Sequence, residues 1–223
     1  MATSADADVP TPPRVRLPRD ERRALLLEAA LAAFSEHGYH ATAMDDIADR
    51  AGVSKPVLYQ HFDSKLDLYV ALAERVRDDV VDTVRVALAS TTENELRIAA
   101  SLQSFFEFVD RPGSGYPLIM ASDMGGEPSV ARILEQAQRG CAEAIGRVIQ
   151  DETDLGWEEA ALLGWAISSQ VQTVARHWYE SRSPVSRRQA IDLLRTLVWR
   201  GIGHVPQTGG AADAVSGGDD GAG

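Results

Sequence analysis

The segment from Thr42 to Lys65, TAMDDIADRAGVSKPVLYQHFDSK, constrains this chain more than any other. Thr42 is placed to cap a short helix running through Ala51, and Gly52 ends it, because glycine enters the left-handed conformation at little cost. Ser54 is placed to cap a second short helix through Phe62, with Pro56 in its first turn, where the missing N–H breaks no intrahelical bond. Ile47, Ala48, Val53, Leu58 and Phe62 form one apolar set, which needs a third helix to pack on. The residues from Arg19 to His37 provide it: Leu27, Ala30, Leu31 and Phe34 share a face, and Gly38 supplies the stop.

The rest of the chain repeats the helical period without an alternating strand pattern. Ser64 begins a fourth helix that runs to about Ala89, and others span Glu93 to Asp110, Leu118 to Asp123, Ser129 to Glu152, Trp157 to Ser181 and Ser186 to Gly203. The fold class expected is all-α, with about nine helices. Residues 1–18, with four prolines, read as a disordered leader with a basic end, and residues 206–223 as a disordered tail.

With 223 residues and 44% apolar content the chain can bury a core without staples, and the lone Cys141 has no partner within it. A single thiol, no signal-peptide pattern and no apolar run near the roughly 18 to 20 residues of a membrane helix place the protein in the cytoplasm. Cys141 reads as a buried structural thiol. His37, His40, His61, His177 and His204 show no pair at metal-binding helical spacing, so no metal and no cofactor is expected.

A net charge of −11 argues at first against a nucleic-acid partner. Its distribution reverses that reading: residues 14–65 hold eight basic and eight acidic side chains, and the excess acid lies beyond them. Arg14, Arg16, Arg19, Arg22 and Arg23 make a basic arm ahead of the first helix, suited to a neighbouring minor groove. Once the apolar set packs inward, the second short helix presents Lys55, Pro56, Val57, Tyr59, Gln60 and His61. Tyr59 and Lys65 suit phosphates, Lys55 and Gln60 suit base edges, and Val57 suits a thymine methyl.

IADRAGVSKPVLYQHFDSKLDLY resembles the signature of the tetracycline-repressor (TetR) family, and the likeness extends over residues 19 to about 75. The resemblance implies a homodimer that binds a palindromic operator through a helix-turn-helix domain, here residues 19–65. It implies effector binding and dimerisation in a larger helical domain, here residues 66–205, joined through helix 4. Repression is the family's default outcome. By position, the implied DNA contacts are Thr42, Lys55, Pro56, Val57, Tyr59, Gln60, His61 and Lys65. One departure stands out: Asp45 and Asp46 begin helix 2, where many members carry a residue able to approach a phosphate, so helix 2 is expected to contribute fewer contacts. The acid pair suits the helix dipole.

The same acids support a different reading. Asp45, Asp46 and Asp49, and again Asp78, Asp79 and Asp82, follow the DDxxD spacing with which all-α prenyl-diphosphate enzymes hold magnesium. The first copy lies in a short helix and only 33 residues before the second, which disfavours an enzyme.

In the larger domain, Ala161, Gly164, Ser168 and Ala175 make a stripe of small residues that allows close helix approach, and Ala190, Leu193, Leu194, Leu197 and Gly201 make a matching one. The resemblance implies that these helices pair across a two-fold axis; the stripes serve equally as monomer core. The dimer set is Ala161, Gly164, Trp165, Ser168, Ala175, Leu193, Leu194 and Leu197. Phe105, Phe106, Phe108, Tyr116, Met120, Met124, Trp165 and Trp178 are the candidate lining for an apolar or elongated effector, such as a fatty acyl compound. Over its full length the chain is more weakly similar to fatty-acid-metabolism regulators of that family, and its Ala, Arg and Gly usage with two lysines suggests an actinobacterial source.

Overall fold

The computed structural model describes residues 18–120, 123–181 and 184–202. Arg14, Arg16, the tail and all of the leader but Pro18 lie outside the described residues. Among the described residues the chain forms nine α-helices and no strand: α1 (Arg19–Ala41), α2 (Met44–Arg50), α3 (Lys55–Tyr59), α4 (Lys65–Ala89), α5 (Asn94–Asp110), α6 (Tyr116–Met120), α7 (Pro128–Glu152), α8 (Trp157–Glu180) and α9 (Arg187–Ile202). The all-α expectation holds.

Two expected helix starts are built differently. Gly38, at φ 77, breaks the helical path inside α1 and leaves carbonyls of the preceding turn short of partners. Thr42 turns inward to meet them, its hydroxyl donating to the Gly38 carbonyl at 2.8 Å and the Ala33 carbonyl at 3.2 Å, and it is 1% exposed. It therefore does not cap α2. The cap residue is Ala43, whose N–H donates to the Asp46 carboxylate at 3.0 Å. Ser54 precedes α3 without a side-chain capping bond, and α3 ends at Tyr59 rather than Phe62. Ser64 does cap α4, accepting from the Asp67 N–H at 3.0 Å.

α4 runs through the core. Its Leu68, Tyr69 and Leu72 are fully buried beside Leu26 and Phe34 of α1, and Val76, Val80 and Val84 continue the buried face towards α5 and α7. Phe34, Tyr39 and Tyr69 form an aromatic group with centroids 5.1 to 5.7 Å apart, and the Tyr69 hydroxyl donates to the Leu118 carbonyl of α6 at 3.3 Å. α7 and α8 make the most extensive helix pair, and they meet through glycine: a Cβ at Gly164 would lie 2.3 Å from the Ala142 carbonyl oxygen and 2.9 Å from the Gly146 nitrogen.

Backbone atoms cannot move aside as a flexible side chain can, so Gly164→Ala forces α7 and α8 apart. A cost of about 2–3 kcal/mol is expected, lowering Tm by roughly 5–10 °C in a thermal melt followed by circular dichroism. Gly125→Ala, which meets nothing within 4 Å, is the matched control and leaves Tm unchanged.

Candidate functional site

α2 and α3 are joined across Gly52, at φ 65, and the turn is tied by the Val53 N–H donating to the Ala48 carbonyl at 3.0 Å. Ile47, Ala48, Leu58 and Phe62 are buried against α1. That burial fixes what faces out: Lys55, Pro56, Tyr59 and Gln60 are exposed, and Val57 and His61 half-buried. Six of the eight predicted DNA contacts thus share one surface.

The other two do not. Thr42 is committed to α1 as described. Lys65 is half-buried, and its ammonium donates to the carbonyls of Tyr39 at 2.8 Å, Thr42 at 2.9 Å and His40 at 3.3 Å, while lying 4.5 Å above the Tyr39 ring. An ammonium has three donors, and all three are occupied. The ammonium is held in this way because the reversed backbone after Gly38 offers three convergent acceptors.

The surface is held from behind by α1. The Arg23 guanidinium sits 4.5 Å over the Phe62 ring and donates to the His61 carbonyl at 3.4 Å. Partial burial, reinforced by Arg19, Arg22 and Arg23, pushes the His61 imidazole below its usual range, so the ring is neutral at pH 7. Lys55 pairs with Asp45 at the start of α2, Nζ lying 2.9 and 3.1 Å from the two carboxylate oxygens, and the hydrogen bond it donates to that carboxylate raises the ammonium above its usual range.

The acidic motifs have structural employment. Asp45 holds Lys55 and Asp46 caps α2, while Asp78 pairs with Arg77 at 2.9 Å and Asp82 with Arg85 at 3.7 Å. The described residues contain no group of three His, Cys, Asp or Glu side chains able to hold a metal. The magnesium-diphosphate reading has no support.

A cavity of about 120 Å³ lies among α4, α5, α7, α8 and α9, with Val84, Leu88, Ile98, Leu102, Ile145 and Val171 in its apolar wall. Polar side chains also line it: Ser101, Ser168, Gln172 and Arg97, which pairs with Glu152 at 2.7 Å and also donates to the Thr91 carbonyl and Asn94. Cys141 lines the wall, and burial pushes its thiol up to about 12, leaving it protonated and a poor nucleophile.

Of the predicted effector residues only Phe105 lines this cavity; it also lines a smaller one with Tyr116 and Met120. Phe106, Phe108, Met124 and Trp178 are packing residues: the Phe106 and Trp178 rings lie 5.5 Å apart, and the Trp178 indole donates to the Val185 carbonyl at 2.8 Å. Trp165 is half-buried and lines neither space. Large rings fill volume, and the cavity opens where shorter aliphatic chains from five helices leave it. The sequence signal for those was the spacing of Ile98, Leu102 and Phe105, and of Cys141, Ile145 and Val148, which is also the signal for core.

Residues 26–72 match the family model described as bacterial regulatory proteins, tetR family. The HTH-type transcriptional activator FasR of Mycolicibacterium smegmatis is 42% identical over 193 residues, covering 86% of this chain and 88% of FasR. The chain belongs to the TetR family. It is a DNA-binding transcriptional regulator of the helix-turn-helix type. A TetR-like transcriptional regulator from Rhodococcus sp. RHA1 has a similar structure, with a TM-score of 0.63 and 26% identity, over 85% of this chain and all of that one. The fold is shared with FadR of Bacillus subtilis, whose crystal structure is a complex with stearoyl-CoA, at a TM-score of 0.61 and 16% identity, over 80% of this chain and 98% of FadR.

In this TetR-family chain the predicted dimer stripe splits. Gly164, Ser168, Ala175 and Leu194 are buried within the chain, Gly164 directly against α7, whereas Ala161 and Trp165 are half-buried. The buried members of the stripe thus serve the core of this chain, one of the two roles open to it. The most exposed apolar side chains of these two helices are Leu193 and Leu197 of α9, 67% and 58% exposed, with Leu162 of α8 at 72%.

Replacing Lys65 by Met leaves three carbonyls without their shared donor. A loss of about 1–3 kcal/mol is expected, seen as a lower Tm and as faster amide exchange from Thr42 to Ile47. Unchanged exchange there would show that the ammonium is dispensable.

Proposed function

We propose that this regulator binds a palindromic operator as a homodimer, with residues 19–65 reading DNA and residues 66–205 binding effector and partner. The surface formed by Lys55, Pro56, Val57, Tyr59, Gln60 and His61 carries the reading: a rigid scaffold leaves polar, aromatic and apolar side chains outward on one short helix. Inserted in a major groove, Gln60 and Lys55 reach base edges, Val57 meets a thymine methyl and Tyr59 bonds a phosphate. Leu162, Leu193 and Leu197 supply an apolar surface for the second copy.

The effector we infer is an apolar or elongated small molecule such as a fatty acyl compound. Its support is the largely apolar cavity, together with the stearoyl-CoA held by a regulator of the same fold. The mechanism is a population shift between two dimer arrangements, only one of which spaces the two reading helices for successive major grooves. α4 is the lever: Lys65 anchors its start against α1, and Val84 and Leu88 near its end line the cavity. The chain works in the cytoplasm as a binding protein rather than an enzyme. Repression follows where the operator overlaps a promoter, and activation, as in the name of FasR, where it lies upstream.

DNA selected from a random duplex pool tests this reading. An enriched palindrome is expected, with Tyr59→Ala weakening its binding about tenfold or more; a pool that stays random refutes it. Palmitoyl-CoA at saturation is expected to change operator affinity, and operator to change palmitoyl-CoA affinity by the same factor. A ligand that leaves operator affinity unchanged is not the effector.

A further inference from the structure

The reading surface carries one lysine, and that lysine is chelated by an acid. Lys55 Nζ lies 2.9 Å from one oxygen of Asp45 and 3.1 Å from the other, to which it donates a hydrogen bond, so one of its three donors is committed to the carboxylate and two remain. Both side chains remain open to an incoming duplex, at 56% and 59% exposure. Around them Pro56, Val57, Tyr59 and Gln60 are uncharged and His61 is neutral at pH 7. The net charge contributed by the pair is zero. A surface built to hold phosphates has no use for a carboxylate, which repels a phosphate by about 1 kcal/mol at 4 Å even in water.

A donor and an acceptor held side by side match a base edge instead. In the major groove, guanine offers the O6 and N7 acceptors that an ammonium selects, and cytosine offers the N4 amino donor that a carboxylate selects. O6 and N4 are neighbours across a G·C pair, in the same order and at the same hydrogen-bonded spacing as Nζ and the Asp45 oxygen. Adenine sets a single acceptor beside its amino group, a pattern suited to the neutral fork of Asn or Gln. We propose that Asp45 and Lys55 read one G·C base pair in each half-site as a unit, Lys55 donating to guanine O6 and N7 while Asp45 accepts from the cytosine amino group. The acid that departs from the family pattern at the start of α2 is then a specificity residue. It also keeps Lys55 from binding any phosphate it meets, which lowers affinity for unrelated DNA.

The inference rests on the operator-binding reading, and the test separates the two. Full-length wild-type, Asp45→Asn and Asp45→Ala proteins are each used to select DNA from a random pool, and each is then titrated with the selected duplex and with a scrambled one at several salt concentrations. The wild type is expected to prefer G·C at one position of each half-site by roughly tenfold. Both variants lose that preference at that position alone. Their binding to the scrambled duplex tightens, and its log–log salt slope steepens by about one for each half-site, as the freed Lys55 takes a phosphate. Asp45→Asn keeps the side chain's size and its place in the exposed first turn, so a folding defect does not stand in for the effect. Base preferences indifferent to both variants overturn the inference while leaving the operator reading intact, as does an affinity change equal for all sequences. An A·T pair at the affected position overturns the assignment of the base, and a wild type that selects no sequence overturns both readings.

Discussion

The chain reversal after α1 depends on one ammonium. Gly38 breaks the helix, the backbone turns, and the carbonyls of Tyr39, His40 and Thr42 converge on Lys65. Lys65 is the first residue of α4, so the contact that satisfies the end of one helix also sets the origin and direction of another. α2 and α3 lie in the sequence between those two points. Their orientation follows from it: with α1 and α4 fixed, the buried set of Ile47, Ala48, Leu58 and Phe62 has one place to go, and the outward side chains have one direction to face.

The same junction reaches the larger part of the molecule. Tyr39 packs on Phe34 and Tyr69, and the Tyr69 hydroxyl bonds α6. Ahead of α6 the chain lies so close to α4 that a Cβ at Gly115, at φ 73, would sit 2.6 Å from a Val76 methyl. A tilt of α4 is therefore felt by α1 and α6 together, through dense packing with no loose element between them.

The helices were legible because Gly38, Gly52, Pro56 and Ser64 punctuate a regular apolar period. The ambiguities share a cause: one residue type satisfied two readings, and the competing partner was distant in sequence. Thr42 has the chemistry of a cap, and the carbonyl of Ala33, nine residues earlier, claims its hydroxyl. Lys65 has the chemistry of a phosphate contact, and carbonyls 23 to 26 residues earlier claim its ammonium. Gly164 permits close helix approach, and of the two roles open to it α7 of the same chain fills one. The cavity was hidden for the opposite reason. It consists of space left by Val84, Leu102, Ile145 and Val171 on four different helices, and no local pattern records a volume that side chains do not fill.

The glycine contact of α7 and α8 gives the cavity walls unequal stiffness. Helices that touch backbone to backbone at Gly146 and Gly164 have no side-chain layer to compress, so they behave as a single plate. α4 and α5 face that plate across the cavity with valine, leucine and isoleucine side chains, which can change rotamer and yield. The yielding side of the cavity is thus shared by α5 and by α4, the helix whose far end carries Lys65.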